Sequence, residues 1–97
     1  SNMIYPDLTT QFLNLTEDEV ISIYPNPFTN STVIEFPNAK QENFILRAYD
    51  LLGNKVRVLK NITTNILVFE KGKLSPGIYV IELSSVSKSF KGKIVVE

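Results

Sequence analysis

Histidine and cysteine, the side chains that most often act as general base, thiolate nucleophile or soft metal ligand near neutral pH, are both missing from the 97 residues. Any chemistry would fall to carboxylates, Lys, Tyr and Ser. The one dense acidic cluster is Glu17, Asp18 and Glu19. Neighbours in an extended chain point different ways, and a calcium ion needs about six oxygens from a loop that wraps it, so the triplet falls short of a cation site. Gly72 and Gly77 are not followed by the Lys-Ser/Thr pair of a phosphate-binding loop. The triplets beginning at Asn14, Asn30 and Asn61 fit the N-glycosylation pattern, which is frequent by chance. Tyr24, Tyr49 and Tyr79 are the aromatics from which a sugar-stacking platform would be built, although the ordinary use of such residues is to fill a core or an interface. Without convergent acids or a base, the expectation is a chain that is not an enzyme and carries neither metal nor cofactor.

Positioning falls to β-structure. From Val20 onward, short β-branched and aromatic runs alternate with Gly, Pro, Asn and Ser. The runs are 20–24, 32–36, 43–50, 55–60, 65–70, 78–84 and 89–96. Alternation puts Ile34 and Phe36, then Phe44, Leu46 and Ala48, then Tyr79, Ile81 and Leu83 on one side, with Glu35, Arg47 and Glu82 opposite. Seven such strands fit two packed antiparallel sheets, an immunoglobulin-like sandwich without the disulfide and Trp of antibody domains. No helix longer than a turn is expected.

The connections carry their own signals. In Asp50–Lys55, DLLGNK, positive φ is cheap at Gly53 and Asn54, so a hairpin is expected there. In Leu74–Gly77, LSPG, Pro76 suits the first central position of a tight turn and Gly77 a left-handed second. Tyr24, Pro25, Asn26 and Pro27 read as a stiff extended segment, because proline fixes φ and pushes the residue before it toward extended backbone. Such a segment can end a strand, swing the chain to another sheet and leave Asn26 to bond nearby backbone.

Residues 1–19 lack a sustained period and read as linker, with 20–97 as the domain; Ser1 and Asn2 ahead of Met3 read as a cloning remnant on a piece of a longer protein. Net charge is zero, but residues 1–39 hold five acids and no Lys or Arg, while the remainder holds all ten basic residues against five acids. These basics are spread over many strands and turns and do not form clusters interleaved with aromatics, which speaks against a nucleic-acid surface and for solvated faces and protected edges. No run reaches the roughly 18 apolar residues of a membrane helix, so direct membrane insertion is not expected.

In order, VISIYPNPF, YDLLGNKV, LSPGIYVIEL and KGKIVVE resemble the C-terminal sorting domain of proteins exported by the type IX (Por) secretion system of Bacteroidetes, over Val20–Glu97. The family pattern is met by Tyr24, Pro25, Asn26 and Pro27, by Tyr49, Asp50, Leu51, Gly53 and Val56, by Leu74, Gly77 and Tyr79, and by Lys93 to Val96. The resemblance implies a β-sandwich at the end of a cargo. It would direct that cargo through the periplasm and the outer-membrane translocon to the cell surface or medium. A cysteine-peptidase sortase, able to transfer the cargo to anionic lipopolysaccharide, would then remove it. The implied partners are the translocon, the sortase and a covalently attached N-terminal cargo. Within the last strand, Lys91, Lys93, Ile94, Val95 and Val96 are the recognition candidates, through strand addition or charge. The alternative is an adhesion or carbohydrate-binding sandwich at the end of an exported enzyme, which fold alone does not exclude.

Overall fold

The structure, a computed structural model, describes residues 21–97. The linker, the acidic triplet and the Asn14 triplet lie outside them. Seven strands run β1 (Ser22–Tyr24), β2 (Ser31–Glu35), β3 (Phe44–Tyr49), β4 (Lys55–Ile62), β5 (Ile66–Glu70), β6 (Gly77–Ser84) and β7 (Ser89–Val96). They form a three-stranded sheet in the order β1-β2-β5 and a four-stranded sheet in the order β4-β3-β6-β7, and every pairing is antiparallel. Strands β2 and β5, and likewise β3 and β6, are neighbours despite their distance along the chain. That is the Greek-key arrangement of an immunoglobulin-type sandwich, with β4 paired to β3. No helix occurs among the described residues.

Alternation explains why the sheets close on each other. Phe44, Leu46 and Ala48 of β3 are fully buried, as are Ile34 of β2, Phe69 of β5, Ile81 and Leu83 of β6 and Ile94 of β7. Each buried Leu, Ile or Phe contributes about 1.5–3 kcal/mol against the conformational entropy of ordering the strands. Aromatic edges knit the layers: Phe36 meets Phe44 at 5.0 Å and Phe28 meets Phe69 at 6.4 Å, both edge-on. Gly92 permits a close approach of β7 to the β1 segment. A Cβ there would lie 2.9 Å from the Ile21 terminal methyl and 3.0 Å from that of Ile23.

Three local expectations change. The tight turn after β5 is not LSPG but Lys71–Leu74, closed by the Leu74 amide donating to the Lys71 carbonyl at 3.0 Å with Gly72 at φ 55°. Gly77 is instead the first residue of β6, paired with Val96, because the β6–β7 ladder already runs to that point. In the loop of the β3–β4 hairpin only Gly53 takes positive φ, at 89°. Asn54 is held instead by exchange with Asp50, whose amide donates to the Asn54 carbonyl at 2.9 Å. Finally, Pro25, Asn26 and Pro27 form a bend and not an extended run, with both X-Pro peptide bonds cis.

Candidate functional site

The bend after β1 delivers the chain onto the outer edge of β7. The Asn26 amide donates from Nδ2 to the Lys93 carbonyl at 2.9 Å, and its Oδ1 accepts from the Val95 amide at 2.8 Å. A side chain thus stands in for a paired strand residue. Two residues later the backbone takes over: the Phe28 amide donates to the Val95 carbonyl at 3.0 Å, and the Glu97 amide donates to the Phe28 carbonyl at 2.9 Å. Phe28 forms a parallel bridge with Val96 while its ring is buried against Phe69. The Thr32 hydroxyl, itself buried, fixes the bend by donating to the Pro25 carbonyl at 2.5 Å.

The other motif segments lie at the same end of the sandwich. Asp50 organises the β3–β4 hairpin: Oδ1 accepts from the Leu52 and Asn54 amides, each at 2.9 Å, and Oδ2 accepts from the Asn54 side chain at 3.2 Å. The Asn54 backbone bond above all holds the Asp50 carboxyl below the usual carboxylate range. Tyr79 is buried, and its hydroxyl donates to the Ser75 carbonyl at 2.6 Å, tying the loop before β6 to the core. Register joins the segments, because Gly77 faces Val96 and Tyr49 faces both Lys55 and Val80, which in turn faces Lys93.

Within β7 the recognition candidates divide by face. Ile94 and Val96 are core residues at 0% and 2% exposure. Lys91 and Lys93 are exposed, and Val95 between core neighbours is half-buried on their side. The outward backbone of Lys93, Val95 and Glu97 is already bonded by Asn26 and Phe28, so an added strand would have to displace that segment. Among the described residues nothing bonds the outward backbone at Lys91.

The three tyrosines do not assemble. Tyr24 lies on the outer face of the three-stranded sheet, donating to Glu35 Oε1 at 2.7 Å; that bond raises its hydroxyl above the ordinary value. Tyr49 lies on the outer face of the four-stranded sheet and Tyr79 inside the core, so the coplanar platform of a sugar site is not formed by this set. The opposite end holds an open hollow of about 600 Å³ lined by residues such as Pro37, Gln41, Thr64 and Lys88, without paired acids. No metal-binding group of acids occurs among the described residues.

Two positioning residues carried no sequence signal. Asn38 is buried at 7% exposure; it donates to the Glu42 and Thr64 carbonyls and accepts from the Glu42 amide, clamping the β2–β3 and β4–β5 loops. Arg57 lies 4.7 Å over the Phe69 ring and donates to the Glu70 and Lys71 carbonyls, clipping β4 of one sheet to β5 of the other.

A sequence comparison with characterised proteins finds no match. The family model of the secretion system C-terminal sorting domain matches residues 22–97, the whole sandwich from the first residue of β1 onward. The same stretch holds the bend that closes on β7, the Asp50-capped hairpin and the tied loop before β6, so the chain belongs to the type IX secretion C-terminal sorting domain family.

Proposed function

We propose that this domain carries an attached N-terminal cargo through the type IX outer-membrane translocon and is then cut away by a sortase upstream of β1. The domain itself is a secretion sorting signal, and a sorting signal is not a catalytic unit. The observation that carries the proposal is the family match over the complete sandwich, whose bend after β1 is fastened to β7 by side-chain and backbone bonds. Cleavage falls ahead of the domain, within the polar, aperiodic residues 3–19 or farther upstream. The cargo then passes through the periplasm to the surface or the medium.

Recognition rests on Lys91 and Lys93 with Val95, the residues of β7 that face outward, while Ile94 and Val96 serve it by holding the strand in the core. Charge is the favoured mode over strand addition, because Asn26 and Phe28 already fill the outward backbone of Lys93 to Glu97. Export of a fused reporter by the Lys91→Ala, Lys93→Ala double variant tests this. Reduced export from a domain whose melting curve is unchanged is expected. Full export of that variant would reduce both lysines to edge protection.

A further inference from the structure

The two outer faces of the sandwich differ in charge more than a net charge of zero suggests. On the four-stranded sheet, register lines up Val58, Arg47, Glu82 and Lys91 in one row across β4-β3-β6-β7, and Lys55, Tyr49, Val80 and Lys93 in the next. Ile78 and Val95 form a third, shorter row. The second and third rows therefore form an apolar patch of Tyr49, Val80, Ile78 and Val95, with Ile78 and Val80 at 40% and 38% exposure and Lys55 and Lys93 at its two edges, while the first row carries Arg47 and Glu82 on the central strands. The one carboxylate in these rows, Glu82, sits between Arg47 and Lys91. On the three-stranded sheet the corresponding rows are Ser22, Glu35 and Ile66, then Tyr24, Val33 and Val68, then Ser31 and Glu70. Those rows contain acids and no cation.

Edge protection does not account for this division. Strand β5 is also an edge and shows Ile66 and Val68 at 44% and 58% exposure, yet no lysine guards its outer face. Lysines instead accompany the broader four-strand face. A flat field of half-exposed β-branched side chains presents nothing that projects deeply into an acyl layer, whereas it suits a complementary protein surface with an apolar centre and an anionic rim.

Resting on the sorting role proposed above, we infer that the outer face of the four-stranded sheet, from Lys55 on β4 through Tyr49 and Val80 to Lys93 on β7, docks onto an acidic, apolar-centred protein surface of the export machinery. Recognition then spans the whole sheet and is not confined to the last strand. The discriminating side chain is Lys55, on the edge strand farthest from β7.

The test uses the domain fused behind a periplasm-directed reporter in a strain with a working type IX system. Lys55→Glu should lower export about fivefold, and Lys55→Glu with Lys93→Glu more than about tenfold, as reversal of rim charges slows a charge-steered encounter. Circular dichroism melts should superimpose on the unsubstituted domain. Ser22→Lys with Glu70→Lys, the matching reversal on the other face, should export normally. A milder variant, Val80→Thr, probes the apolar centre should a charge reversal unfold the domain, and it too should lower export.

If the unsubstituted fusion is not exported, the sorting role itself fails. If it is exported and folded Lys55→Glu is exported equally well, the docking face is wrong while the sorting role stands. Purified domain should remain monomeric in sedimentation and should not float with phosphatidylcholine vesicles containing phosphatidylglycerol. Concentration-dependent assembly abolished by Lys55→Glu would mean that the face binds a second copy. Flotation abolished by Lys55→Glu would mean that it binds anionic lipid. Either result overturns the protein partner.

Discussion

Asn26 does the work that a strand residue would otherwise do, because its amide carries both a donor and an acceptor and sits where the bend brings it against β7. Asn26→Ala removes both bonds and should cost about 1–2 kcal/mol in urea unfolding. Asn26→Asp keeps the acceptor toward Val95 but puts a carboxylate against the Lys93 carbonyl, so it should not restore the loss. Titration bears on a second residue-scale point. Asp50, held by Asn54, and Glu42, held by the Ser85 and then the Ser87 hydroxyl, both have carboxyls below their ordinary values in the folded state. A depressed folded value adds stability that is complete above the unfolded value and is lost as pH falls through the folded one. Melting temperature should therefore drop on the acid side of the usual carboxylate range, and Asp50→Asn should flatten that drop. A melting temperature as steep in acid for Asp50→Asn as for the parent would remove Asp50 from the explanation.

At the scale of the element, β7 has a structural face and an outward face. Replacing Ile94 and Val96 together by Ala strips two core side chains and should cost about 4 kcal/mol, close to the whole stability of a small domain without disulfides. The Lys91 and Lys93 pair, exposed, should change stability by less than about 0.5 kcal/mol when made Ala. Equal destabilisation by the two pairs, measured by thermal or urea melts, would mean that the faces are wrongly assigned. Strand order along the chain, and the faces of β2, β3 and β6, were legible because side chains alternate with period two and the Gly, Pro and Asn breaks are sharp. What stayed hidden has physical causes. The pairing of Tyr49 with Lys55 and Ala48 with Arg57 inserts a bulge at Val56, which puts Lys55 on the opposite face from Arg57, the residue that pairs with buried Ala48 and lies over Phe69, a shift of face that composition does not reveal. The turn after β5 was placed too late because KGKL and LSPG each offer turn residues, and only the length of the β6–β7 ladder chooses between them. Asn38 carried no signal, since a buried amide joining two loops reads in sequence as one more loop asparagine.

For the whole molecule, the YPNPF bend joins the sheets: β1 belongs to the three-stranded sheet, and within a few residues Asn26 and Phe28 are bonded to the edge of the four-stranded one. Its first and last segments are thereby locked together, so a change at either is felt at the other. That coupling also explains why YPNPF and KGKIVVE, distant in sequence, act as one structural unit. Transplantation separates a sorting address from a ligand-binding module. Residues 3–97 fused behind a periplasm-directed reporter, in a strain with a working type IX system, should bring the reporter to the surface or into the medium, shortened by loss of the sandwich. A reporter that stays in the periplasm at full length, while a known sorting domain in the same strain exports its own, would contradict the sorting role.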